Sequence, residues 1–136
     1  MNTVLIEWIQ KAEEDFYVAS AAFRARKHPL HNAVCFHAQQ CIEKYLKAVM
    51  VQHGIAFDRT HDLQVLLNGT LAVCPLWESW RPALKTLSEY AVSFRYPGES
   101  AGKAEAREAM QIMRQFRREI RPALRIRTPR RPRREH

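Results

Sequence analysis

The chain has 136 residues and a formal net charge of +8, from 22 lysines and arginines set against 14 aspartates and glutamates. A domain of this size can bury about two thirds of its unfolded surface and folds without a disulfide or metal staple. The three cysteines, Cys35, Cys41 and Cys74, show no C-x-x-C spacing, no apolar run approaches the roughly 18 residues of a membrane span, and the opening MNTVLIEWIQK has neither the basic leader nor the apolar block of a secretory signal, so a cytoplasmic protein with reduced, packing cysteines and no membrane partner is expected.

The charge is unevenly placed. Residues 114–136 hold ten arginines against Glu119 and Glu135, which accounts for the whole excess, while residues 1–113 balance. A cationic end binds polyanions by releasing their counterions, a nonspecific and salt-sensitive attraction, or serves only as a solvated tail.

In chain order the hydrophobic spacing predicts five helices. From Val4 to Phe23, the residues Leu5, Trp8, Ile9, Ala12, Phe16, Ala19 and Phe23 keep helical spacing, with Thr3 as the expected N-cap. Pro29 ends that helix. The longest Gly- and Pro-free amphipathic stretch follows, Ala33 to Met50, with a stripe of Val34, Ala38, Cys41, Tyr45 and Ala48 widened by Phe36, Ile42, Leu46 and Val49. Its other face carries Gln39, Gln40, Glu43, Lys44 and Lys47, which reads as a polar surface that either lines an inter-subunit groove or meets water, with a favourable Glu43 to Lys47 pair. Gly54 stops it.

Thr60 is the expected cap of a short third helix containing Leu63, Leu66 and Leu67, with Asp62 in its first turn. A fourth helix runs from Trp77 or Pro82 to Phe94, and RYPG at 95–98 ends it because Tyr96 before Pro97 is pushed out of the helical region. Ser100 is the expected cap of a fifth helix with the stripe Ala109, Ile112, Met113, Phe116 and Ile120, limited or kinked by Pro122. No strand pattern competes. The expected fold is all-α: an up-and-down antiparallel bundle of four long helices plus a short accessory helix over residues 1–124, with 125–136 as a basic Pro/Arg-rich tail expected to be disordered.

Signatures of catalysis are sparse. There is no Gly-rich phosphate loop, no H-E-x-x-H and no paired cysteine motif. His37 and Cys41 are i,i+4 but offer only two ligands where a metal needs three, so neither a metal nor another cofactor is expected.

The segments FHAQQCIEKYLKA (36–48), THDL (60–63) and LSEYAVSFRYPG (87–98), followed by an amphipathic helix, occur in an order that resembles the HEPN family, the higher-eukaryote and prokaryote nucleotide-binding domain, over residues 4–120. The resemblance implies a dimerising helical bundle, often encoded beside a minimal nucleotidyltransferase in a toxin–antitoxin or related two-component system. Many members are metal-independent ribonucleases using an arginine, four to six further residues and a histidine. This chain departs from that pattern: Arg95 falls near the expected region, but no histidine follows before His136. Arg26 with His31, and Arg130 or Arg131 with His136, match the bare spacing only in a connecting loop and in the tail.

Histidine supplies the near-neutral acid or base for phosphodiester cleavage and arginine steadies the developing charge. With arginine alone a site holds phosphate without moving protons. The resemblance therefore implies no catalytic residue, and a nucleotide- or RNA-binding set of Arg95, Tyr96, His61, Asp62, Lys44 and Lys47 in a homodimer that works with a nucleotidyltransferase partner. The alternatives are a metal-independent RNase toxin and a dimeric assembly protein tethered to nucleic acid by its tail. Capping and turn chemistry also account for Asp62, Tyr96 and Pro97 without any ligand.

Overall fold

The computed structural model describes residues 2–126. It contains α1 (Thr3–Arg24), α2 (His31–Gln52), α3 (Leu63–Thr70), a 3-10 turn at Pro75–Trp80, α4 (Arg81–Ser93) and α5 (Lys103–Ala123), with no strand among the described residues. The expected all-α bundle is what forms, and its core stripes are those the spacing marks. The proposed tail falls almost wholly outside the described residues.

Contacts fix the directions. Lys47 lies over Trp8 and Lys44 meets Asp15, so α1 and α2 are antiparallel neighbours. Trp80 bonds Glu119 and Tyr90 bonds Glu108, so α4 and α5 are antiparallel too. The Asn32 side chain accepts from the Ala101 amide at 2.7 Å, placing the starts of α2 and α5 at the same end.

Helix α2 is the axis, touching α1, α3, α4 and α5. Val34, Ala38, Cys41, Ile42, Tyr45, Leu46, Ala48 and Val49 are all fully buried. Because neighbours surround it, the face expected to be a polar surface is also largely enclosed: Gln39, Glu43 and Lys47 are only 4%, 2% and 6% exposed. That corrects the amphipathic reading. A helix with partners on every side has no water-facing half, and its polar side chains must be satisfied internally. Phe36, expected in the stripe, is half-buried instead. From α5, the fully buried Phe116 packs against Trp77 and Trp80, at ring-centroid distances of 5.8 and 5.1 Å.

Three caps differ from expectation by one or two residues. Asn2, not Thr3, caps α1, its side chain accepting from the Val4 amide at 2.7 Å. Asp62, not Thr60, caps α3, and Thr60 instead accepts the Asp62 amide at 3.1 Å. Gly102 precedes α5 without a side-chain cap, so Ser100 does not serve. Pro82 sits in the first turn of α4, where its missing N–H costs nothing, and Gly54 takes φ +66° just beyond α2.

Candidate functional site

A cleft of about 530 Å³ opens between α2, the turn before α3 and the C-terminal half of α4. Gln39 and Gln40 line it from α2, His61 and Asp62 from the turn, and Ser88, Glu89 and Arg95 from α4 and its end. Local chain chemistry places these groups. Asp62 begins α3 by accepting the Gln64 amide at 2.9 Å, which leaves His61 outside the helix. At the other wall α4 stops at Ser93, so Arg95 stands in the turn before Pro97, its guanidinium 5.2 Å from the centre of the Phe36 ring.

The rear of the cleft is a buried polar network. Glu43 Oε1 lies 2.9 Å from His61 Nδ1, and Glu43 Oε2 accepts from Lys47 Nζ at 3.2 Å. Gln39 Nε2 donates to the His61 carbonyl at 3.0 Å and lies 3.4 Å from Glu43 Oε1. A carboxylate facing Nδ1 fixes the proton there in neutral imidazole, so Nε2 is the ring atom left to act on a ligand. The His61 side chain is 80% exposed although its anchor is buried. Ser88 adds a hydroxyl that is enclosed and has no hydrogen-bond partner among the described residues.

Of the six residues singled out for binding, the fold brings His61, Asp62 and Arg95 into this cleft. Asp62 is engaged as the α3 cap. Tyr96 lies in the turn beyond Arg95, 63% exposed, and does not line the cleft. Lys44 pairs with Asp15 on the α1 side, where His37 Nδ1 also meets Asp15 at 2.8 Å. Lys47 is enclosed, its ammonium 5.3 Å from the centre of the Trp8 ring, and reaches the site only through Glu43. Ser88 carries no signal in the sequence, whereas Gln39 and Glu43 belong to the polar face of α2 that the spacing leaves open between a groove lining and a solvated surface. The Glu43 to Lys47 spacing was visible but read as a surface pair.

The other arginine–histidine spacings do not gain a site. Arg26 is exposed in the loop after α1, whereas His31 opens α2 and lines a different cavity beside Ala101. Arg130, Arg131 and His136 lie outside the described residues. Among the described residues no three His, Cys, Asp or Glu side chains gather as metal ligands, and no helix is long and apolar enough to cross a membrane. Cys35 and Cys41 are fully buried, and burial pushes the Cys35 thiol up to about 11 and the Cys41 thiol well above its ordinary value.

Four helices packed around a central one, with an arginine and a histidine lining a shared cleft, define an all-α helical bundle. Residues 6–122 match the HEPN domain, and the chain belongs to that family. It is also similar to a protein of Methanocaldococcus jannaschii named "Putative toxin MJ1304", with 33% identity over 97 residues, which is 66% of this chain and 61% of that relative's length. No solved structure matches.

Proposed function

We propose that this HEPN chain is the binding member of a toxin–antitoxin-like pair and holds a phosphate of a nucleotide or RNA in the cleft between α2, α3 and α4. The observation that carries this reading is the placement of Arg95 and His61 on the walls of one cleft of about 530 Å³. Arginine offers a planar, permanently charged fork to phosphate oxygens, and the Nε2 atom of an anchored histidine adds a directed donor or acceptor. Family membership and the similarity to the M. jannaschii protein support the two-component setting. In it the chain acts as a homodimer with a minimal nucleotidyltransferase.

Calorimetric titration of the full chain with ATP and with a short single-stranded RNA tests this. Arg95→Ala is expected to weaken binding at least tenfold, as loss of a charged hydrogen bond does. Unchanged affinity would place the ligand elsewhere. Affinity isolation from the host at high salt tests the partner, and recovery of a nucleotidyltransferase is the expected result.

One observation favours a second reading, a metal-independent RNase. Glu43 holds His61 as carboxylates hold catalytic histidines, so the cleft has a proton-transfer group despite the missing sequence motif. In that reaction Nε2 takes the proton of a ribose 2′-hydroxyl, O2′ bonds to phosphorus and the O5′ bond breaks, leaving a 2′,3′-cyclic phosphate and a 5′-hydroxyl once the leaving oxygen is protonated. Arg95 would balance the charge gained on the phosphate oxygens. Cleavage in EDTA that disappears in His61→Ala would establish it, and equal silence of wild type and variant would remove it.

A further inference from the structure

Helix α5 sorts its charges around its axis. Arg107, Arg114 and Arg118 are spaced seven and four residues apart, so at about 100° per residue they fall within roughly 20° of one line. All three are exposed, and none pairs with a carboxylate among the described residues. Of the three carboxylates on the same helix, Glu105 lies about 160° away, and Glu108 and Glu119, about 100–120° away, are engaged elsewhere: Glu108 accepts from Tyr90 and Glu119 from Trp80, both at 2.8 Å. Arg117 and Arg121, on the opposite flank of the stripe, are both drawn to Glu13 of α1. The fold neutralises the flanking arginines and leaves the central row unopposed.

Beside that row is a notch of about 410 Å³ whose lining includes Arg118, Arg121 and Tyr17 of α1. Tyr17 is 62% exposed, with its ring edge-on to Phe16 at 5.4 Å. A cationic track with an exposed aromatic face beside it is the arrangement by which proteins hold single strands, phosphates on the charges and a base on the ring. The sequence after Ile126 adds five more arginines.

We propose that the outer face of α5, with Tyr17, is a docking track for single-stranded RNA. It shares no residue with the cleft, so it stands whether or not Arg95 and His61 bind a ligand. A duplex would use the arginines but offers no unstacked base to Tyr17, which is what separates the two nucleic-acid forms.

The test is fluorescence anisotropy of the full chain with a labelled 20-residue oligouridylate and with duplex RNA of equal length, across a salt series. Single-strand affinity is expected to fall with salt, and the triple variant R107Q/R114Q/R118Q to lose about 2 from the slope of log affinity against log salt, three contacts at about 0.7 each. The corresponding triple lysine variant, which retains charge, keeps the slope. Tyr17→Ala is expected to weaken oligouridylate binding at least fivefold while leaving the duplex unchanged, with Tyr17→Phe restoring it. An unchanged slope in the glutamine variant would overturn the track by assigning all counterion release to other arginines. Equal effects of Tyr17→Ala on both RNAs, or loss of binding to anionic lipid vesicles in the triple variant with RNA binding intact, would also overturn it.

Discussion

Glu43 and His61 lie eighteen residues apart in the chain, yet their side chains meet at 2.9 Å, the buried carboxylate of α2 holding the exposed imidazole before α3. This contact joins the core to the cleft. Lys47 balances the same carboxylate from the dry side.

Removing Glu43 therefore does more than removing its partners. Glu43→Gln leaves Lys47 as an enclosed charge without a counter-charge, and the loss expected for breaking a buried pair is about 3 kcal/mol. His61→Ala leaves Glu43 still bonded to Lys47 and Gln39, so it should change stability by less than about 0.5 kcal/mol, as substitutions at exposed positions do. Denaturant unfolding of both variants checks this ordering, and equal losses would contradict it.

Asp62 has a job that needs an acceptor, not a charge. Asp62→Ala is expected to lower stability by about 1 kcal/mol through loss of the α3 cap, and Asp62→Asn to retain most of it. Thermal unfolding separates the two. If Asp62→Asn weakened ligand binding without changing the unfolding midpoint, the carboxylate would be a ligand contact instead.

Acid should weaken the α1–α5 junction. Burial pushes the Glu13 carboxyl up, but the hydrogen bond from Arg117 and the charges of Arg117 and Arg121 outweigh it and hold it below its ordinary 4.5. A carboxyl whose pKa is depressed in the folded state contributes stability that is fully present above the unfolded value and lost as pH falls through the folded one. Unfolding free energy should therefore decline as pH drops below about 4.5, and Glu13→Gln should flatten that part of the profile. A variant curve parallel to wild type would exclude Glu13 as the source.

Thiol chemistry should follow burial. Cys35 and Cys41 are fully enclosed with raised thiol values, whereas Cys74 is partly exposed and raised by burial alone. A disulfide reagent at pH 8 is expected to modify Cys74 first and the other two only after unfolding, because the thiolate is the reactive form. Rapid modification of Cys35 in the native protein would contradict that packing.

The helices and their apolar stripes were legible in the sequence because burial leaves a period that Leu, Val, Ala and Phe write plainly, from Leu5 to Ile120. The caps were legible to within one or two residues, since Asn2 and Thr3, or Thr60 and Asp62, are chemically alike and only the backbone decides which one accepts. Arg95, His61 and Asp62 were found through their motifs, and the fold brings them together. What periodicity could not show is that α2 has neighbours on every side. Glu43 and Lys47 look like a surface pair on a helical wheel, and only the arrival of α1 and of the turn at His61 encloses them. Tyr17 and the α5 arginines carried no motif at all. Their relation depends on Glu13 choosing Arg117 and Arg121.

The charge sorting of α5 has a kinetic side. With unopposed guanidiniums along one line and Glu108 and Glu119 turned toward α4 and the turn before it, the helix carries a transverse dipole as well as an axial one. A polyanion approaching through solution would feel a torque before it touches the surface, so that most encounters begin in the productive orientation and the association rate rises as ionic strength falls.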